Sequence, residues 1–476
     1  MTQPQSAQSP DTGRPGPRVA VVGSGPAGFY AALDLLAHPG LGARVDMFDR
    51  LPAPMGLVRY GVAPDHQKIK AVAQVFERGA DAGAERFRFF GNVALGRDIS
   101  LEELRARYEA VVLAFGAETD RRLGIPGEDL PGVVAAREFV AWYNSHPDYA
   151  DARFNLSGER AVVVGIGNVA IDVARILVRT PAELAATDIS VSAEEALRAS
   201  RIRDITVLAR RGPLQAACTP VELRELAHLQ AADLVVAADD LALDPASAAQ
   251  LAAGTVERQS ARNLAVLKDE ALRAPRANRK VIRLRFGVSP VEILGRERVE
   301  GVRIRRNRLV VGPGGRLVSE ATEATEDLVC DAVFRSIGYR VAPIEGVPYD
   351  AALGAIPHDA GQVLTSTGGA PEPGLFVTGW AKRGPSGVIG TNKPDAAETV
   401  ARLIAVHEAG ALPAAREVDV ADLLASRGVR AVSRIDWQAL DALERRLGEA
   451  EGRPRRKLAT IAAMLAAIDE ERVSAP

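Results

Sequence analysis

The chain has 476 residues, too many for one ordinary hydrophobic core, so two or more domains are expected. Hydrophobic residues make up 47% and charged residues 25%, the balance of a globular protein in water, and a net charge of −2 excludes a global electrostatic footprint for nucleic acid or a membrane surface. Cys218 and Cys330 stand far apart with no C-x-x-C, which excludes a disulfide scaffold, a zinc site, an internal iron–sulfur cluster and a dithiol redox centre.

Residues 1–17 are rich in Gln, Ser, Pro and Gly and read as a disordered tail, not a secretory signal or a transit peptide. A first unit follows: strand 18–23, a glycine turn, helix 26–37 and strand 43–49. A Pro/Gly-rich loop covers 50–66, then a helix about 67–83, a strand near 87–91 and the apolar strand "EAVVLAFGA", 109–117. A linker, "ETDRRLGIPGEDLPGV", leads to a second unit that begins "RAVVVGIGN", 160–168. Its helix runs to about 178, and a polar helical excursion precedes the strand "DITVLARR", 204–211. Residues 281–311 alternate apolar and polar, which predicts antiparallel strands. Further strands are expected at 330–339 and 373–380, a helix at 394–409, and polar helices over 415–470. The fold class is therefore α/β, with two Rossmann-like three-layer nucleotide-binding domains, and the segment "PGLFVTG" is expected to return to the first sheet. No apolar run is long enough to span a bilayer, so a cytoplasmic location is expected.

Gly23, Gly25 and Gly28 form G-x-G-x-x-G between a strand and a helix. The first glycine allows the tight turn, the second allows backbone to approach a pyrophosphate, and the third lets the helix pack close. Asp49 ends the next strand about 20 residues on, where a carboxylate accepts the hydroxyls of an unphosphorylated ribose. FAD or NAD fits there, and NADP does not. The glycine-rich turn in "PGLFVTGWAKRGPSGVIGTNK", 373–393, favours FAD. Gly165, Gly167 and Ala170 form the variant G-x-G-x-x-A in the second unit. Arg210 and Arg211 stand where the acid would be, about 40 residues past the glycines because of the helical excursion. Two guanidiniums at that point select a 2′-phosphate and therefore NADP(H).

On "VVGSGPAGFYAA", "GLVRYGVAPDHQKIK", "IPGEDLPGV", "VVVGIGNVAIDVARIL", "VLARRGPLQAACTPVELRELAHL", "SIGYR" and "GWAKRGPSGVIGTNKPDA", the chain resembles the adrenodoxin-reductase-like ferredoxin–NADP reductases, including the bacterial members. The resemblance covers residues 18–400. It implies a glutathione-reductase-like flavoprotein build, with a discontinuous FAD-binding domain at 18–119 and 344–476 and an NADP-binding domain at 120–343. It implies FAD contacts at Ala27, Asp49, Leu57, near Val93, Trp380, Gly387, Val388 and Ile389. It implies NADP contacts at Arg121, Ile166, Gly167, Asn168, Val169, Arg210, Arg211, Glu222 and Gly387. Trp380 stands where related two-domain flavoproteins often carry an aspartate, and tryptophan there is this family's own pattern. His66 and Glu225 match polar residues near the flavin and nicotinamide. The bland reading is that His66 caps the helix that follows and Glu225 lies on a solvated helix face.

The function implied is an FAD-dependent ferredoxin–NADP(+) reductase. Hydride passes between NADPH and FAD, and single electrons pass between FAD and a ferredoxin-type iron–sulfur protein. The chain is expected to act as a monomer. Arginine clusters at 198–203, 273–285 and 303–308 are candidates for an acidic partner's docking face, whereas "RPRRK", 453–457, reads as a solvated turn. Two alternatives stand beside this reading: an electron-feeding subunit of a larger oxidoreductase, and a non-catalytic protein that senses NADP(H).

Overall fold

Two parallel sheets organise the chain. The structure, a computed structural model, describes residues 16–474 apart from 274–275, 277–278, 313–316 and 417. The expected disordered tail thus lies almost wholly outside the described residues. Gly16 and Pro17 are packed, with the Arg44 amide donating to the Pro17 carbonyl at 3.0 Å.

The first sheet has seven strands. Its parallel part runs Pro371–Val377, Ala110–Leu113, Arg18–Val22, Arg44–Phe48, Phe87–Phe90. Gln362–Leu364 and His358–Asp359 extend it antiparallel at one edge. The "PGLFV" strand pairs beside Ala110–Leu113, so the chain returns to its first sheet after leaving it. The strands are apolar on both faces because helices cover both. Helix Pro26–Ala37 packs on one face against helix Asn392–Glu408.

The second sheet has six parallel strands in the order Val133–Ala135, Ala332–Arg335, Arg160–Val164, Asp204–Ala209, Lys280–Phe286, Ala232–Val236. Residues 281–286 alternate as predicted but run parallel in this sheet, beside Asp204–Ala209. Gly287, at φ +65°, turns the chain out of the sheet, and the antiparallel part begins only at Val288. It is a separate three-stranded sheet of Val288–Leu294, Gly301–Val311 and Leu317–Val329. The predicted helix 67–83 is broken at Ala71 into Gln67–Lys70 and Val72–Ala82. The two crossings between units, Thr119–Asp120 and Tyr339–Arg340, pair antiparallel as a short ribbon.

The tail forms three helices, Val420–Ser426, Arg434–Ala450 and Ile461–Ser474. Trp437, Leu440, Met464 and Ile468 pack into the first unit's core. Among the described residues no helix is long and apolar enough to cross a membrane. Burial pushes the thiols of Cys218 and Cys330 up to about 12, so both are inert.

Candidate functional site

The two glycine turns are built alike. Gly23 has φ +110° and Gly165 φ +119°, a region that favours glycine. A Cβ on Gly23 would lie 2.5 Å from the Ala114 carbonyl oxygen, and one on Gly165 would lie 2.1 Å from that of Ser336. Each turn therefore presses against the neighbouring strand's end. Gly25 and Gly167 then precede helices Pro26–Ala37 and Asn168–Val178, and no side chain caps either helix. Several other helices are capped by a side chain, with Ser100, Thr180, Ser190, Thr219, Asp244 and Ser433 each accepting from a first-turn amide. A Cβ on Gly167 would meet nothing within 4 Å. Neither helix N-terminus is side-chain capped, and the one at Gly167 faces open space, whereas Gly56 backbone closes over Gly25; an uncapped helix start is the arrangement that receives a phosphate.

The third positions differ. A Cβ on Gly28 would sit 2.0 Å from the Gly23 carbonyl oxygen, whereas Ala170 fits fully buried in the second unit. Gly28→Ala is therefore expected to disrupt the first unit, with loss of soluble protein or a clear fall in Tm, while Ala170→Gly costs only about 1 kcal/mol. Thermal melting of both variants checks this.

Around the first turn the structure gathers most of the residues named for it. Asp49 follows strand Arg44–Phe48, and its Oδ2 accepts from Ser24 N–H at 3.0 Å and from the Ser24 hydroxyl at 2.5 Å. Its Oδ1 accepts from Leu51 N–H at 2.9 Å, so the carboxylate is oriented by the turn and keeps acceptor capacity. Burial pushes Asp49 above the usual carboxylate range, with those hydrogen bonds opposing it. The 50–60 loop folds back onto the turn, with Met55 N–H donating to the Ser24 carbonyl at 3.0 Å. Leu57 stays exposed on that loop. Val93 N–H donates to the Asp49 carbonyl at 2.9 Å, but the Val93 side chain is buried in the core and only its backbone faces the turn. Gly379 abuts Ala27, since a Cβ on Gly379 would lie 2.5 Å from that of Ala27. Trp380 stacks on Tyr339 at 5.4 Å, bringing the ribbon between the units against the glycine-rich loop. Gly387 has φ +80°, Val388 is exposed and Ile389 is half-buried at the loop's tip. Arg121, on the ribbon, donates its amide to Gly338 at 3.1 Å.

Around the second turn Ile166, Gly167, Asn168 and Val169 are half-buried. Asn168 Oδ1 accepts from Thr219 N–H at 2.8 Å, which ties the turn to helix Pro220–Ala227, the helix that carries Glu222 and Glu225. Arg210 and Arg211 follow strand Asp204–Ala209 side by side. Neither guanidinium has a carboxylate partner among the described residues. Burial and then the Arg210 charge lower the pKa of Arg211, as expected of adjacent uncompensated cations. The Arg210 carbonyl is held by Asn307 Nδ2 and Ser319 Oγ, each at 3.0 Å. The other arginine clusters are mostly compensated. Arg198 pairs with Glu194, Arg276 and Arg279 with Asp233, Arg303 with Asp327 and Arg308 with Glu320.

His66 and Glu225 join the two units. His66 Nε2 lies 2.6 Å from Glu225 Oε2 and 3.6 Å from Glu222 Oε2. His66 stands at the N-cap of helix Gln67–Lys70, but its side chain makes no capping bond and turns to Glu225 instead. Burial lowers the imidazole pKa, and the hydrogen bond to Glu225 overcomes it, for a net rise. Arg175 lies beneath, with no side-chain exposure, at 2.8 Å from Asp65, 2.8 Å from Asp172, 3.2 Å from Glu222 and 3.4 Å from Glu225. Burial raises Asp65, but Arg175 and Arg179 overcome it and hold the carboxyl at about 2. His66, Asp172 and Glu222 have metal-ligand spacing, but Arg175 already supplies the positive charge there.

Burial and then Asp172 push Glu222 up to about 7. A carboxyl with a raised folded pKa holds its proton more tightly in the folded chain. It therefore costs stability as pH rises from the ordinary carboxylate range through 7. Glu222→Gln removes that titration among Asp172, Glu225, His66 and Arg175. The variant's Tm is expected to gain on the wild type's from about pH 5 to about pH 8, and a pH-independent difference contradicts this assignment.

Residues 17–232 match the pyridine nucleotide-disulphide oxidoreductase family. NADPH-ferredoxin reductase FprA of Mycobacterium tuberculosis is 47% identical over 459 residues, covering 94% of this chain and 98% of that protein. The mitochondrial NADPH:adrenodoxin oxidoreductase of Arabidopsis thaliana is 42% identical over 464 residues, 94% of this chain and 95% of that one. The chain belongs to the adrenodoxin-reductase-like ferredoxin–NADP reductases. It is thus an oxidoreductase. The solved structure of M. tuberculosis FprA in complex with NADPH superposes with a TM-score of 0.89 at 45% identity, over 96% of this chain and all of that one.

Asp65, Asp172, Arg175, Asp188 and Lys457 belong to this reductase's inter-unit seam and were not singled out in the sequence. One signal was present. In "GNVAIDVAR" Asp172 and Arg175 are charges one helical turn apart on an otherwise apolar helix that starts at the second glycine turn. The reading of 453–457 as a solvated turn is corrected. Arg453 pairs with Glu194 at 2.8 Å, and the Lys457 side chain is fully buried, because both point inward to acids of the second unit.

Proposed function

We propose that this protein is an NADPH–ferredoxin reductase that carries FAD in its first unit (18–119 and 344–476), takes NADPH in its second (120–343) and acts as a monomer. The observation that carries the reading is the contrast between the two strand ends. Asp49, fixed by the first turn, suits a ribose with free hydroxyls, and the uncompensated Arg210 and Arg211 suit a 2′-phosphate. The uncapped helix N-termini at Gly25 and Gly167 suit the two pyrophosphates.

FAD, when bound, accepts a hydride from NADPH and releases electrons singly to a one-electron carrier. The chain's own residues position and shield. Ala27, the Leu57 loop, the backbone at Val93 and the Trp380 and Gly387–Ile389 loop wall the first site. Ile166 to Val169, Arg121 and Glu222 line the second. The His66–Glu225 pair bridges the two units, and its 2.6 Å hydrogen bond fixes the imidazole where the nicotinamide would approach. The relatives' names support a ferredoxin-type partner.

The test is NADPH-driven reduction of cytochrome c with and without added ferredoxins. A ferredoxin is expected to raise the rate severalfold. A rate that no ferredoxin changes contradicts the partner class, and a protein that binds NADPH without turnover is a sensor.

A further inference from the structure

The carboxyl-terminal tail reaches across to the second unit at two buried side chains, Arg453 and Lys457, and Lys457 is the deeper. Helices Arg434–Ala450 and Ile461–Ser474 are rooted in the first unit's core. The chain between them doubles back tightly, since a Cβ on Gly448 would lie 2.3 Å from the Arg455 Cα. Lys457 then enters the seam with no side-chain exposure. Its Nζ donates to the Arg59 carbonyl at 3.1 Å and the Asn144 carbonyl at 3.0 Å, and lies 3.2 Å from Asp188 Oδ2. An ammonium has three donors, and here they fall on three separate chain segments. Arg59 belongs to the first unit, Asn144 and Asp188 to the second.

The segment 59–70 is held along its whole length. Arg59 pairs with Glu444 at 2.6 Å, Asp65 with Arg175, His66 with Glu225, and Lys70 with Asp188 at 2.7 Å. Arg453 adds a second tether to Glu194. None of the Lys457 partners belongs to a glycine turn.

We propose that Lys457 is a positioning residue for hydride transfer, pinning the 59–70 segment to the second unit so that the two nucleotides meet at a fixed distance. This rests on the reductase reading above. Reaction geometry is sensitive to displacements of about 1 Å, which cost on the order of 100-fold in rate. Loss of Lys457 therefore acts on the chemical step and leaves nucleotide affinity intact.

The test compares wild type with Lys457→Met in the full chain. Stopped-flow reduction of the bound flavin at saturating NADPH is expected to slow by about tenfold or more, with NADPH affinity within about twofold. Hydrogen exchange at 59–70 and 144–146 is expected to rise, with or without flavin. An unchanged saturating rate, or a loss confined to NADPH affinity, overturns the proposal. Exchange that rises without a rate change also overturns it. Should Lys457→Met not fold, Arg453→Gln is expected to give the same pattern at about threefold, and its absence overturns the proposal equally. A wild-type flavin that NADPH does not reduce sinks the reductase reading instead, and the exchange data still decide whether the tail pins the segment.

Discussion

Replacing Arg210 and Arg211 together by alanine is expected to weaken NADPH by about 100-fold or more while leaving NADH almost unchanged. Each charged hydrogen bond to a phosphate is worth about 1.5–3 kcal/mol. Among the described residues the two guanidiniums have no carboxylate to release, so their charge is available to a ligand. Their backbone is preorganised by Asn307 and Ser319, which keeps the ordering cost of binding low. Steady-state kinetics with both nucleotides reads the ratio directly. An NADPH preference that survives the double substitution refutes the assignment of the second site.

Arg175→Ala is expected to be the most damaging single change in the seam. Its guanidinium is fully buried among Asp65, Asp172, Glu222 and Glu225. Removing it leaves several acids in a low-dielectric site without their counter-charge, a loss of about 3–5 kcal/mol. Tm should fall by about 3–5 °C for a chain of this length unfolding as one unit. Adding Glu222→Gln to the variant should recover part of the loss, because it removes one of the stranded charges. Thermal denaturation of the single and double variants checks both statements. A Tm for Arg175→Ala near the wild type's would mean that the cluster is solvated.

The two nucleotide turns were legible because backbone geometry leaves no choice of residue. Gly23 and Gly165 need positive φ, and Gly28 meets a carbonyl where any Cβ would go. The Asp49 and Arg210–Arg211 contrast was legible because strand register carries both to the same place beside their turns. The path of 280–286 was not, since an alternating strand buries alike in a parallel or an antiparallel neighbourhood, and the decision lies at Gly287. Lys457 was not legible either. Its neighbours in sequence are those of a solvated basic turn, and its burial comes from Arg59, Asn144 and Asp188, all more than 250 residues away. The His66–Glu225 contact was not legible, because the two residues lie 159 positions apart and meet only when the two units pack.

If one chain holds a flavin and an NADPH site close enough for direct hydride transfer, its flavin responds to NADPH with no added carrier. Anaerobic absorbance of the purified full chain tests it most directly. The expected result is a yellow protein whose flavin band is bleached promptly by one equivalent of NADPH and far more slowly by NADH. A colourless protein, or a flavin band that NADPH leaves unchanged, would contradict it.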